Sequence, residues 1–420
     1  MMDNPFFSFL LAIAIVLFAA RIGGAIARRF DQSRVLGELL VGILLGPTVL
    51  DLLHSSIFTG QTEHITLAIK DLAELGVLLL MFKVGLEVHI NELFRVGKAA
   101  IIAGVLGALV PVAMVMLLAD TFKISQEVAL FAGVTMAATS VSISAQVLLE
   151  LGVLQTLEGN ALLATALIDD VFAILLVSLA VAITATGSAV NAAVLGEIAL
   201  RMLIFLVVAG LISWFILPKL FTWIAKKRRF DFSGAFGLAS FAFIAAVIFG
   251  WAAEEYGGVA FITGSFIAGV GLSRLSPETK REIDDAVNNL CYVLLVPIFF
   301  VSIGLEADLS SFGAALLPSA GLLLIVAVFS KVIGCSGGAL LGGFTRLQSL
   351  RLGVCMISRG EVGIIIASIS LSTGVIAPDD PFFATLFLVI ILTTVVTPPA
   401  VRTVFNLGDD TPRVPQPAQT

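Results

Sequence analysis

Between residues 5 and 404 the chain passes through thirteen apolar runs, at 5–27, 35–53, 67–88, 98–119, 126–149, 159–184, 198–218, 235–253, 258–274, 286–307, 315–342, 350–374 and 382–404. Most have the length, about 20 residues, that an α-helix needs to cross the hydrocarbon of a bilayer. The ninth, from Gly258 to Arg274, is short and glycine-rich. Hydrophobic residues are 59% of the chain and charged ones 13%, against about 45–50% and about 25% in soluble domains. No soluble interior could hide this much apolar surface, so lipid must cover it. The expected fold is an all-α polytopic membrane protein with about thirteen transmembrane helices.

Charge placement orients the ladder. With thirteen spans, the odd-numbered connections and the C-terminus share one face. That face collects Arg28, Arg29, Arg34, Arg95, the cluster Lys226-Lys227-Arg228-Arg229, Lys280, Arg281, Arg346, Arg351 and Arg402, whereas the other holds Lys70, Lys123 and Arg201. Basic residues favour the cytoplasmic side, so the N-terminus is expected outside and the C-terminus in the cytoplasm. The segment before the first run (Met1-Met2-Asp3-Asn4-Pro5) has no basic residue, which argues against a cleaved signal peptide. Cys291, Cys335 and Cys355 sit in apolar stretches without metal-ligand spacing, and read as small core residues.

A repeat runs through the ladder. The third run ends Val84-Gly85-Leu86-Glu87-Val88-His89-Ile90 and the tenth ends Ile303-Gly304-Leu305-Glu306-Ala307-Asp308-Leu309. One run earlier, Gly37 and Gly42 are matched in spacing by Gly264 and Gly269. Seven runs separate the matches, an odd offset, so the halves enter the membrane in opposite senses. Inverted repeats of this kind belong to secondary transporters, which bind substrate near the midplane between the halves. The expected organisation is one transmembrane unit over 1–407, with repeats at about 5–184 and 235–404 linked by the run at 198–218. A short disordered cytoplasmic tail follows at 408–420.

Charges inside the runs narrow the chemistry, because a charge at a helix centre costs about 2.5–3.5 kcal/mol on insertion scales. Arg21, Glu38, Asp71 and Glu74 lie close enough to run ends for snorkelling or interfacial pairing. Asp169 and Asp170 do not; they occupy the middle of the sixth run. Two adjacent desolvated carboxylates repel, which suits them to hold and release protons near neutral pH. Neighbouring helix positions point about 100° apart, so one can face a cation while the other faces a different helix. Lys331, near the middle of the eleventh run, needs an acidic partner, and Asp169 is the choice. The fifth run carries Ala138-Thr139-Ser140-Val141-Ser142-Ile143-Ser144, and its repeat partner, the twelfth, carries Ser358-Arg359-Gly360-Glu361. Both look like broken helices, whose unwound backbone can bind ions where it lines a cavity. Arg359 and Glu361 either pair with each other or neutralise the facing half-helix ends.

These segments resemble the bacterial cation:proton antiporters, in particular the sodium/proton branch typified by NapA. The likeness rests on GELLVGILLGP at 37–47, GLE at 85–87, ATS at 138–140 with LELG at 149–152, IDD at 168–170, PIFF at 297–300, the FSK segment ending at Lys331, and SRGEVG at 358–363. It implies a six-helix core domain that moves against a dimerisation domain, crossed broken helices at the fifth and twelfth runs, and a homodimer in the bacterial inner membrane. It implies that Asp170 binds the cation, sodium or lithium, with Thr139 and Ser140 nearby, and that Asp169 pairs with Lys331. Arg359, Gly360 and Glu361 support the crossing. No cofactor and no nucleic acid is expected, only the transported cation and protons. Lys83 departs from the pattern, which has an uncharged residue there. It is expected either to snorkel to the cytoplasmic end or to line the cytoplasmic funnel, where it modulates cation access or pH response.

Other classes fit less well. A channel needs a continuous polar pore, which a mid-membrane Asp/Lys pair would plug. An intramembrane enzyme is disfavoured because His54, His64 and His89 lie near run ends, with no nucleophile–base or metal-ligand spacing. A potassium/proton exchanger is the main alternative, and a sodium-coupled organic-solute symporter the lesser one. Counting charges, a site that holds one proton on Asp170 and one on the Asp169–Lys331 pair exchanges two protons for each monovalent cation and is electrogenic.

Overall fold

The computed structural model describes residues 5–58, 60–88, 90–186, 192–226, 237–307, 313, 316–377 and 380–407. The helices are, in order, α1 (Pro5–Arg29), α2 (Arg34–Leu45), α3 (Thr62–Glu87), α4 (Ile90–Leu117), α5 (Ala119–Phe122), α6 (Gln126–Ala137), α7 (Val141–Leu151), α8 (Leu157–Thr186) and α9 (Ala192–Leu211). They continue with α10 (Leu217–Lys226), α11 (Gly237–Ala252), α12 (Phe261–Leu272), α13 (Pro277–Leu290), α14 (Val296–Leu305), α15 (Leu317–Leu341), α16 (Arg346–Cys355), α17 (Glu361–Ser372) and α18 (Pro381–Asn406). Wide π-type turns at Ile212–Ile216, Ala253–Gly257 and Cys291–Leu295 join or extend neighbouring helices. Among the described residues, nine helical stretches are long and apolar enough to cross a membrane.

Local chemistry starts and stops these helices. Ser33 and Ser125 cap α2 and α6 by accepting from the amides of Leu36 and Val128, which satisfies donors left over in a first turn. Thr345 and Gln348 form a reciprocal capping box on α16. Asp380 caps α18, with Pro381 at its first position. The second apolar run, expected over 35–53, is helical only to Leu45. Gly46 is extended, because Pro47 excludes the residue before it from the helical region.

Two groups of helices emerge from the packing. In one, α1, α2, α3, α11 and α12 pack chiefly on each other and on the α13–α14 pair. Its contacts are close enough to be backbone on backbone. A Cβ added at Gly42 would lie 2.2 Å from the Val301 carbonyl oxygen and 2.8 Å from Gly304 Cα. A Cβ added at Gly269 would lie 2.2 Å from the Phe82 carbonyl oxygen and 3.0 Å from Gly85 Cα. The glycines matched in the sequence thus make matched contacts, α2 against α14 and α12 against α3. We call this the glycine group. The other, the crossing group, contains α4, α6, α7, α8, α15, α16, α17 and α18. The α9–α10 arm lies along α8 and α12.

Candidate functional site

Both broken helices are present and they meet. The helices are interrupted at Ala138–Ser140 between α6 and α7, and at Ile357–Gly360 between α16 and α17. The break in the first is shorter than its hydroxyl cluster, since Ser142 and Ser144 belong to α7. Each interrupted segment satisfies the other: Ser140 N donates to Ser358 O at 3.0 Å, and Ser358 Oγ donates to Ser140 O at 2.6 Å. Ser144 Oγ adds a bond to Cys355 O. Gly360 permits this approach, because a Cβ there would lie 2.9 Å from Ser140 Cβ.

Breaking α6 leaves carbonyls without helical partners. Arg359, fully buried, supplies the missing donors. Its Nε and Nη2 donate to Met136 O at 3.1 and 2.5 Å, Nη2 also to Ala327 O at 2.9 Å, and Nη1 to Ile357 O. The guanidinium therefore sits at the negative end of a half-helix, where a cation is stabilised. Of the two roles open to Arg359, the structure places it on the half-helix end. The side chain of Glu361 lies outside the described residues.

Lys331 Nζ donates to Asp169 Oδ1 at 2.7 Å, and the two side chains are 0% and 1% exposed. This pair joins α15 to α8. Asp169 Oδ2, Thr139 Oγ1 and Thr165 Oγ1 are buried without a hydrogen-bond partner. Ser140 Oγ is shared with Ser142 Oγ at 3.0 Å. Asp170, one residue on, turns to the glycine group: it is half-buried, and its Oδ2 accepts from Thr263 Oγ1 at 2.9 Å. A small cavity beside it is lined by Met81, Val141, Ala166, Leu167, Thr263 and Phe266.

A wider cavity of about 700 Å³ flanks α7 on the side of Arg28, Arg34 and Arg402, with Lys83, Glu87, Gln146, Glu150 and Tyr292 in its wall. Lys83 does not snorkel; it is 5% exposed and bridges Glu87 at 3.0 Å and Asp284 at 3.2 Å. Tyr292 Oη donates to Gln146 Oε1 at 3.0 Å, a contact between the two groups. Glu38 likewise does not reach an interface: it is 7% exposed, because α1 and α2 close on each other at Gly23 and Gly37.

Three contacts at or near this site have no counterpart in the sequence reading. Thr263 was visible only as the neighbour of the repeat glycine Gly264. Tyr292 with Gln146, and Arg351 with Glu158 at 3.0 Å, carry no spacing signal, since each joins residues far apart in the chain.

The fold and site define an all-helical, multi-pass integral membrane protein built around a crossed pair of broken helices. A family model described as "Sodium/hydrogen exchanger, transmembrane" matches residues 13–407, and the chain belongs to this family. It is 33% identical over 403 residues to the Na(+)/H(+)-K(+) antiporter GerN of Bacillus cereus, covering 96% of this chain and 98% of that one. It is 33% identical over 391 residues to a Na(+)/H(+) antiporter of Enterococcus hirae, covering 93% and 96%. Among solved structures, the sodium proton antiporter MjNhaP1 from Methanocaldococcus jannaschii superposes with a TM-score of 0.71 at 16% identity, over 96% of this chain and 99% of that one. That likeness supports the fold.

Proposed function

We propose that this protein exchanges sodium, and also lithium, for protons by alternating access in the inner membrane of a bacterium. The observation that carries the reading is the buried Lys331–Asp169 pair with Asp170 next to it. A carboxylate in lipid needs a counter-charge or a proton, and Asp170 is placed to take either a cation or a proton. Hydroxyl and carboxylate oxygens, the hard donors that alkali cations accept, lie along the same stretch in Thr139, Ser140 and Asp169.

The cycle follows from charge. A cation arriving at Asp170 displaces its proton. It also draws Asp169 from Lys331, and the desolvated ammonium then gives up a second proton. Two protons exchange for one cation. Arg359 with Gly360 and Glu361 holds the crossing open to ions, and Lys83 tunes access through the wide cavity. The matched contacts of Gly42 and Gly269 support inverted repeats at about 5–184 and 235–404 within a thirteen-span unit over 1–407. In this reading the N-terminus is outside, the tail at 408–420 is cytoplasmic, and the wide cavity faces the cytoplasm. The crossing group is the core that slides, elevator-fashion, against the glycine group, which also mediates homodimerisation. The name of GerN includes potassium, so a potassium/proton exchanger is the second reading.

The test is a proteoliposome assay with a trapped pH dye, adding sodium, lithium and potassium in turn. Proton movement driven by sodium and lithium is expected, and the end point is expected to shift with an imposed membrane potential. Response to potassium alone selects the second reading. An end point that ignores a clamped potential refutes two-for-one exchange.

A further inference from the structure

The hydrogen bond from Thr263 to Asp170 crosses between the two helix groups. Thr263 lies in the first turn of α12 and is 4% exposed. Its helix is held in the glycine group at two points: Ser265 Oγ donates to Leu78 O at 2.8 Å, and Gly269 rests on Phe82 and Gly85. Asp170 belongs to α8, which packs on α4 and α6 of the crossing group. Neither partner can follow the other if the groups slide.

We propose that Thr263 is an oxygen ligand of the transported cation at Asp170 in the arrangement seen here, and that it is left behind when the crossing group moves. This rests on the exchange reading above. A threonine hydroxyl has one proton to donate and two lone pairs to accept with. Toward an ionised Asp170 it donates, as observed. Toward a cation seated on Asp170 the same oxygen turns its lone pairs inward. Because the ligand is fixed to the group that stays, the cation is held more tightly in the arrangement seen here than in the one reached after the slide. One side chain thus makes the affinity unequal at the two faces.

The experiment compares everted and right-side-out membrane vesicles carrying the full-length protein, with sodium chloride as the cation and a pH dye as the readout. Thr263→Val removes the hydroxyl. Its expected effect is a rise of about tenfold in the KM for sodium at one face of the membrane only, the size of one lost bond to a charged group. The KM at the other face stays unchanged, and Thr263→Ser restores the wild-type value. An unchanged KM at both faces overturns the proposal, as does an equal rise at both or a fall in maximal rate alone. If the valine variant does not fold, Thr263→Ala is compared with Thr263→Ser, and equal KM values in that pair overturn it too. Wild-type vesicles with no cation-driven proton movement would refute the exchange reading itself. Active wild type with indifferent variants refutes only the role of Thr263.

Discussion

In the glycine group Gly42 lies on Gly304 and Gly269 lies on Gly85, backbone against backbone, and the buried Lys83 pairs with the partly exposed Glu87 and Asp284. In the crossing group, Arg359, Lys331 and Asp169 are buried at 0–1% exposure, and the interrupted end of α6 receives Arg359. The first region is held by shape and loses little if a polar atom shifts. The second is held by charge and has several orphaned oxygens at Asp169, Thr139 and Thr165. Small residues bring membrane helices close without any hydrophobic drive between them, whereas buried charges are tolerated in membranes where they have work to do. The contrast separates a region packed by shape from one built around buried charge.

Mutations can break that contrast at either end. The largest expected effect is on turnover: Asp170→Asn should reduce cation-driven proton flux to background while the protein remains folded by size-exclusion chromatography. Wild-type flux in that variant would remove Asp170 from the site. Next comes stability of the crossing group. Lys331→Ala strands a buried carboxylate and should cost about 3–5 kcal/mol, read as a fall in melting temperature. The pair Lys331→Gln with Asp169→Asn should recover part of it. Strict additivity in that cycle would mean the two residues do not act through one another.

At the two matched glycine contacts the effects should be smaller and should spare chemistry. Gly42→Val and Gly269→Val each push a side chain into a backbone, a cost of about 1–3 kcal/mol. Being matched contacts, they should lower thermal stability by similar amounts without changing the KM for sodium. A tenfold change in KM with intact stability would show that these two backbone contacts, and not Thr263 alone, bear on the cation. The smallest effect is expected at Lys83. Its partners Glu87 and Asp284 are 23% and 33% exposed, so water can replace it, and Lys83→Met should cost about 1 kcal/mol or less. Its effect on the pH profile of exchange would then measure access through the wide cavity almost free of any stability change.

How much of this was legible from the residues depends on what each contact is made of. The helical runs were, since apolar periods of membrane length admit little else. So was the partner of Lys331, because a buried ammonium must find an acid and Asp169 was at hand. The two breaks were visible because hydroxyls and a charged glycine-containing segment fell at repeat-related positions. The destination of Arg359 was not, since its acceptors are carbonyls of Met136 and Ala327, and a main-chain oxygen looks the same in every residue. Thr263 was missed for a related reason: a lone hydroxyl in an apolar run is usually spent on its own helix, and only its hydrogen bond to Asp170 on α8 reveals another use. Glu38 was expected to snorkel or pair at an interface, and Lys83 to snorkel or line the cytoplasmic funnel; helix crossings at glycine hold Glu38 inside, and two acidic neighbours hold Lys83 in the wall of the wide cavity.

The mutual bonding of the two interrupted segments has a consequence for biosynthesis. Ser358, which bonds the carbonyl of Ser140, is 218 residues further along the chain. At about 5–20 residues per second, the ribosome needs about 10–40 s to deliver it. Throughout that interval the unwound stretch at 138–140 has already entered the membrane without its protein partner, in a solvent that offers backbone groups nothing to bond with. The half-made protein must therefore keep this stretch helical, hydrated or shielded by the insertion machinery until the second half arrives. The crossing would then form as one late step rather than helix by helix.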